Sequence, residues 1–241
     1  MMADRTRSWH STHAGTKRKH NEDTFVDRPD LGIWAVADGA GGHQAGEVAS
    51  GMIAEALGAI PANLGAAELL AAVRASIEQT HLALREEAAR RGGNTMIAST
   101  IVAFLAHGDH FACLWAGDSR AYLLRDGEIQ QITTDHSLVQ ELVDAGTISA
   151  EDAESHPHAN IITRAVGADL DALVLEKVSG RLETGDRFLL CSDGLCKTVP
   201  LPRLTELLRD ANGSPPPDQL IAEALALNVT DNVTAVTIDV I

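Results

Sequence analysis

The chain has 241 residues, 45% of them apolar, with 34 acidic side chains against 19 Lys and Arg and a formal charge of −15. That length accommodates one large domain with its own core, and the charge argues against a nucleic-acid or anionic-membrane surface, where phosphates would be repelled. Cys113, Cys191 and Cys196 are odd in number and show no CxxC spacing, which speaks against a disulfide framework or zinc ribbon; with no apolar run near the ~20 residues of a membrane span and no signal-peptide core in the polar N-terminal run, a cytoplasmic protein is expected.

In chain order, a strand-length apolar run at 31–37 is followed by two amphipathic helical patterns, 44–58 and 66–91. Strand runs follow at 97–105, 110–116 and 120–124, a helix near 137–145, strands at 172–178 and 187–191, helices near 201–210 and 217–227, and a last strand at 233–240. The breaker NGSPPP between the last two helices reads as a loop within one domain spanning 1–241. Strands and helices cluster instead of alternating, so sheets covered by helices on their outer faces fit better than a doubly wound parallel sheet. The segment 134–168, rich in His, Pro and short helical signals, interrupts the strands and reads as a flap beside a site.

Three strand runs end on an aspartate beside a glycine: Asp38-Gly39, Gly117-Asp118 and Asp193-Gly194. A fourth acid, Asp231, stands just before the final strand. Each alone is an ordinary turn signal. Together, aspartates at the mouths of adjacent strands can converge on one point, where they repel one another unless a cation compensates them. An all-oxygen set selects Mg²⁺, Mn²⁺ or Ca²⁺ over zinc, and no EF-hand spacing is present. Gly39 would let its carbonyl approach a cation, although the same glycine would serve a turn with positive φ. Upstream, in RKHNEDTF, an extended backbone would put Arg18 and Glu22 on one face, with Arg18 free to fork a phosphate beside a metal held partly by Glu22; the alternative is a solvated charge cluster.

Taken in order, RKHNED, VADGAGGHQAGEVAS, WAGDSRAYLLRDG, DHSLVQELVDAG, ITRAVG, LLCSDGL and TDNVT resemble the metal-dependent protein phosphatases, the protein phosphatase 2C-like enzymes. The resemblance implies an α+β fold, a four-layer α-β-β-α sandwich of two antiparallel sheets flanked by helices, with metals at one end. It implies a serine/threonine protein phosphatase using two core Mn²⁺ or Mg²⁺ ions and a third, weaker one. By resemblance Asp38 bridges the two core ions, the Gly39 carbonyl binds one, and Asp193 and Asp231 complete the other. Asp118 joins Asp193 at the third ion, Glu22 meets a metal directly or through water, and Arg18 binds the phosphate. Expected partners are phosphorylated proteins, including a cognate serine/threonine kinase, with no nucleic acid, no membrane and a monomeric state. The flap pieces resemble single-domain phosphatases paired with bacterial kinases, some of them near type VI secretion systems.

Two departures from the family pattern stand out. Ala40 occupies the position where animal members carry a histidine that protonates the leaving group, leaving a protonated water, the substrate's own environment or His43 for that work, the alternative for His43 being a polar residue near a helix start. The run TMIAST replaces a shorter Met-Gly-Thr-Thr run without removing a ligand. Other chemistries have weaker support. Cys191 and Cys196 lie in no glycine-rich, arginine-ended phosphate loop, His136, His156 and His158 have no matching cluster for a transition metal, and Asp169 reads as a surface acid. A pseudophosphatase that only binds phosphoproteins, or an esterase of small phosphate esters, are the alternative functions.

Overall fold

The computed structural model describes residues 5–41, 45–92, 95–168, 172–209 and 215–241. In chain order the strands and helices are β1 (Thr6–His13), β2 (Asp23–Arg28), β3 (Ile33–Ala40), α1 (Ala45–Gly58), α2 (Ala66–Arg91), β4 (Ala98–Ser99), β5 (Ile101–His107), β6 (His110–Ala116) and β7 (Arg120–Arg125). There follow β8 (Glu128–Gln131), α3 (Leu138–Asp144), α4 (Ala150–Ser155), β9 (Glu176–Arg181), β10 (Arg187–Cys191), α5 (Asp193–Cys196), α6 (Leu201–Arg209), α7 (Pro216–Ala226) and β11 (Val233–Val240).

The strands form two antiparallel sheets, β1-β11-β10-β7-β8 and β2-β3-β5-β6-β9, with short β4 pairing the end of β3. Side-chain alternation explains how they stack. On β3, Trp34 and Val36 face the opposite sheet while Ile33, Ala35 and Ala37 face α1 and α2. On β11, Val236, Ile238 and Val240 point between the sheets while Val233 and Ala235 point to α5, α6 and α7. The apolar runs therefore have no polar face, since each central strand is covered on both sides. All four phenylalanines, Phe25, Phe104, Phe111 and Phe188, pack in the layer between the sheets, where the Phe104 and Phe188 rings lie 4.4 Å apart. The expected α-β-β-α sandwich is thus the observed one.

Three strands escape the sequence pattern. β1 (TRSWHSTH) and β8 (EIQQ) are sheet edges with much of their surface wet, and β2 (DTFVDR) carries only two apolar residues. Their pairing to apolar neighbours supplies what their own hydrophobicity does not. The run expected at 172–178 becomes a strand only from Glu176 and continues to Arg181. The segment 14–22 is a turn, with Gly15 at φ +75°, so the extended backbone expected to align Arg18 with Glu22 is absent.

The flap holds α3 and α4, each capped by a serine, Ser137 and Ser149, that accepts from the backbone N–H three residues on. Its base is closed by backbone bonds: Leu138 N–H to the Ile161 carbonyl and Thr163 N–H to the His136 carbonyl, both 2.9 Å. Val166 and Ser99 exchange a further pair, tying the flap's end to β4.

Candidate metal centre and active site

Asp38 and Asp23 are direct cross-strand partners at the ends of β3 and β2, so the sheet register alone sets two carboxylates side by side. Asp38 is fixed by its backbone: its N–H donates to Thr100 Oγ1 at 3.1 Å, and its carbonyl accepts from Thr100 N–H at 2.8 Å and Ser99 Oγ at 2.9 Å. Thr100 Oγ1 in turn shares a 2.7 Å hydrogen bond with Ser119 Oγ, next to Asp118. The TMIAST run thus supplies both β4 and the hydroxyl that orients Asp38.

Gly39 has no positive φ; its lack of a side chain serves close approach. A Cβ there would stand 2.2 Å from the Gly46 carbonyl oxygen and 2.7 Å from that of Glu22. Gly46 is confined in the same way, 2.7 Å from the Gly39 oxygen and 2.9 Å from the Glu22 carboxyl carbon. Two glycines therefore seat the start of α1 against the end of β3 and bring Glu22 beside Gly39.

Asp193 opens α5 two residues after the end of β10, and Asp231 stands two residues before β11, the neighbouring strand. Asn232 binds this end of the sandwich together. Buried, it accepts from Glu22 N–H at 2.8 Å and donates through Nδ2 to the carbonyls of Ala14 at 3.0 Å and His20 at 2.9 Å. The turn bearing Arg18 and Glu22 is thereby stapled beside Asp231. Arg18 forks Asp231, Nε to Oδ1 and Nη2 to Oδ2, each at 2.8 Å.

Lys197, one turn along from Asp193, donates to Asp193 Oδ2 at 2.9 Å, Asp118 Oδ2 at 2.7 Å and flap Asn160 Oδ1 at 3.2 Å. Asp118 follows Gly117, whose φ of +117° turns the chain and whose N–H donates to His136 Nδ1 at 3.1 Å. His136, stacked on Trp115, also reaches Glu176 at 3.1 Å. It is a brace between the flap and the Asp118 turn.

The electrostatics are those of a crowded acidic centre. Burial, then the charges of Asp23, Asp193, Asp118 and Asp231, hold the Asp38 carboxyl well above the usual range. Burial pushes Asp23 up to about 7 despite hydrogen bonds from Thr234 Oγ1 at 2.7 Å and Ser192 Oγ at 2.8 Å, and its Oδ1 has no partner. Asp118 is raised by burial and by Asp193, against the pull of Lys197. Among the described residues no three acidic, histidine or cysteine side chains already close round one point as a finished cation cage. Arg18 and Lys197 take up part of the carboxylates' charge. The donor set is nevertheless all oxygen, with acids in excess of the two cations that pair with them and the buried Asp23 Oδ1 and Asp118 Oδ1 left without partners, which fits hard divalent cations.

The structure gathers Arg18, Glu22, Asp38, Gly39, Asp118, Asp193 and Asp231 at one end of the sandwich. His43 and Asp169 lie outside the described residues. His156 and His158 pack on each other on the exposed flap surface, 5.4 Å between rings, while His136 is committed to its brace. Cys191 is buried and Cys196 partly so. Sequence reasoning missed Asp23, Asn232 and Lys197. Spacing marks only the last: Asp193 and Lys197 are an i, i+4 acid–base pair on one helical turn.

A family model described as Protein phosphatase 2C matches residues 12–225. The chain is 37% identical over 228 residues to the serine/threonine protein phosphatase PstP of Mycobacterium tuberculosis, covering 94% of this chain and 43% of that protein, so it spans less than half of that relative's length. Among solved structures it is similar to PppA, a key regulatory component of T6SS in Pseudomonas aeruginosa, with 39% identity, a TM-score of 0.91 and 98% of each chain covered. It is also similar to the catalytic domain of PstP in complex with 2 manganese ions, at 35% identity and a TM-score of 0.83, covering 98% of this chain and 99% of that one. With a matching family model across most of its length, relatives above 30% identity and the sandwich itself, the chain belongs to the protein phosphatase 2C family.

Proposed function

We propose that the chain is a metal-dependent serine/threonine protein phosphatase whose 1–241 span works as one catalytic unit. The observation that carries this reading is the gathering of Asp38, from the end of β3 in one sheet, with Asp193 and Asp231, beside the neighbouring strands β10 and β11 of the other, where burial and then the acidic neighbours raise the Asp38 carboxyl well above the usual range. Asp38, with the Gly39 carbonyl and Glu22 on one side and Asp193 and Asp231 on the other, would hold two Mn²⁺ or Mg²⁺ ions. The manganese-loaded PstP catalytic domain supports that choice of cation. When bound, such ions supply a charge clamp for a phosphoryl group and an acidified water as nucleophile, so no protein nucleophile is needed.

The chain's own residues then have distinct tasks. Asp38, whose carboxyl burial and the neighbouring acids raise well above the usual range, would be held in its ionised form by a bound cation. Arg18 is half exposed and can exchange Asp231 for a phosphate, for which its planar fork has the same complementarity. Ala40 offers no proton, so the leaving hydroxyl takes its proton from water.

The substrates are phosphorylated proteins, among them a cognate kinase, and the protein acts as a cytoplasmic monomer. Likeness to PppA supports a regulatory setting. Among the described residues no helix is long and apolar enough to cross a membrane. The deciding experiment compares Mn²⁺-dependent phosphate release from a phosphothreonine peptide with release from a free sugar phosphate. Preference for the peptide supports the proposal, preference for the metabolite replaces it with a small-ester hydrolase, and turnover of neither leaves a phosphoprotein-binding module.

A further inference from the structure

We propose that Lys197 is a built-in cation standing where a third divalent ion would join Asp118 to Asp193, so that this protein binds two ions and not three. The inference rests on the metallophosphatase reading but concerns a different part of the site. The Lys197 ammonium has three N–H donors, and three oxygens receive them: Asp118 Oδ2, Asp193 Oδ2 and Asn160 Oδ1, at 2.7, 2.9 and 3.2 Å. No donor remains for water, and the first two acceptors belong to the two carboxylates that a shared ion would join. Small hard cations sit roughly 2.0–2.2 Å from their oxygen ligands, so an ion and this ammonium cannot occupy the gap together.

Helix geometry makes the arrangement intrinsic to the fold. Asp193 and Lys197 are four residues apart at the start of a helical turn, and the backbone N–H of Lys197 itself bonds the Asp193 carbonyl at 2.9 Å. Asp118 is almost fully buried, with 1% of its side chain exposed, and without Lys197 it would be an uncompensated carboxylate facing Asp193. Its other oxygen, Oδ1, is buried without a hydrogen-bond partner. Removing the lysine would therefore offer an incoming ion both Asp118 oxygens and one of Asp193. The flap enters through Asn160, whose side-chain oxygen completes the ammonium's coordination, so one fixed charge joins flap, Asp118 turn and α5.

The test is Mn²⁺ stoichiometry by equilibrium dialysis with metal analysis, read without any substrate, on the full chain and on Lys197→Met, Lys197→Gln and Lys197→Arg, each checked for folding by circular dichroism. The expected result is about two ions for wild type and Lys197→Arg, and about three for Lys197→Met and Lys197→Gln. The gained ion should be lost again in Lys197→Met/Asp118→Asn. Two neutral replacements guard against one failing to fold. About three ions in wild type, or about two in both folded neutral variants, would overturn the inference while leaving the two-ion reading intact. No Mn²⁺ bound by any form would overturn both.

Discussion

Arg18 and Asp231 face each other as a two-pronged pair, both guanidinium-to-carboxylate contacts at 2.8 Å, although 213 residues separate them. Much of both side chains is exposed, and the Arg18 guanidinium is held more firmly protonated first by its hydrogen bond to Asp231 and then by that charge. The pair keeps a phosphate-shaped fork at the lip of the acidic centre.

Arg18→Ala should lower kcat/KM for a phosphothreonine peptide about ten- to a hundredfold, the worth of a charge-assisted bidentate contact at roughly 1.5–3 kcal/mol. Arg18→Lys should recover only part, because it supplies charge without the fork. Calorimetric Mn²⁺ titration should show affinity no weaker than wild type in Arg18→Ala, since the substitution frees Asp231. Unchanged kinetics in the alanine variant would return Arg18 to surface charge.

Asp38→Ala, Asp193→Ala and Asp231→Ala should each lower turnover by orders of magnitude while remaining folded. Each substitution removes a carboxylate from a crowded acidic set, while Asp193→Ala and Asp231→Ala also take a partner from Lys197 and Arg18, so melting temperature in chelator should stay close to wild type. Near-normal turnover in folded Asp193→Ala would show that the ligand assignment is wrong.

Asn232→Ala strips partners from Glu22 N–H and from the carbonyls of Ala14 and His20. Leaving buried polar groups unpaired costs about 1–3 kcal/mol each where water cannot replace the bond, and a net loss of about 2–3 kcal/mol is expected. Thermal unfolding should shift down by roughly 4–12 °C. Turnover should fall further than stability explains, because the turn carrying Arg18 and Glu22 is released; a variant with wild-type melting would remove Asn232 from this role.

In chelator, Asp23 makes stability depend on pH with a definite sign. Its folded pKa of about 7 lies above the ordinary 3.8, so across that interval the folded chain keeps a proton that the unfolded chain has released. Stability contributed by the protonated form is complete below the interval and is lost as pH rises through it, by at most roughly 1.4 kcal/mol per pH unit. Asp23→Asn should flatten that slope and exceed wild type in stability above neutrality. Urea denaturation at several pH values would check it, and an unchanged slope would exclude Asp23 as its source.

What could be read before the structure follows from where chemistry meets regular pattern. Asp38, Asp118 and Asp193 end apolar runs and Asp231 begins one, so their placement at strand mouths was legible. Asp23 was hidden because β2 is short and half polar, and only its register against β3 reveals it beside Asp38. Asn232 stood in an unremarkable N-x-T run, and its three bonds all reach residues more than 200 positions away. Gly39 was singled out for its carbonyl or a left-handed turn; the structure shows close approach to Gly46 and no positive φ. The strand at β1 was missed because its stability comes from pairing along β11, not from its own side chains.

The most direct measurement of the central claim is phosphate release from a phosphothreonine peptide by protein stripped with chelator and then titrated with Mn²⁺ or Mg²⁺. The account predicts no turnover in chelator, recovery on adding either ion, and no dependence on thiol reductant or on Cys191. Full turnover in chelator, or its loss in a folded Cys191→Ser variant, would contradict it.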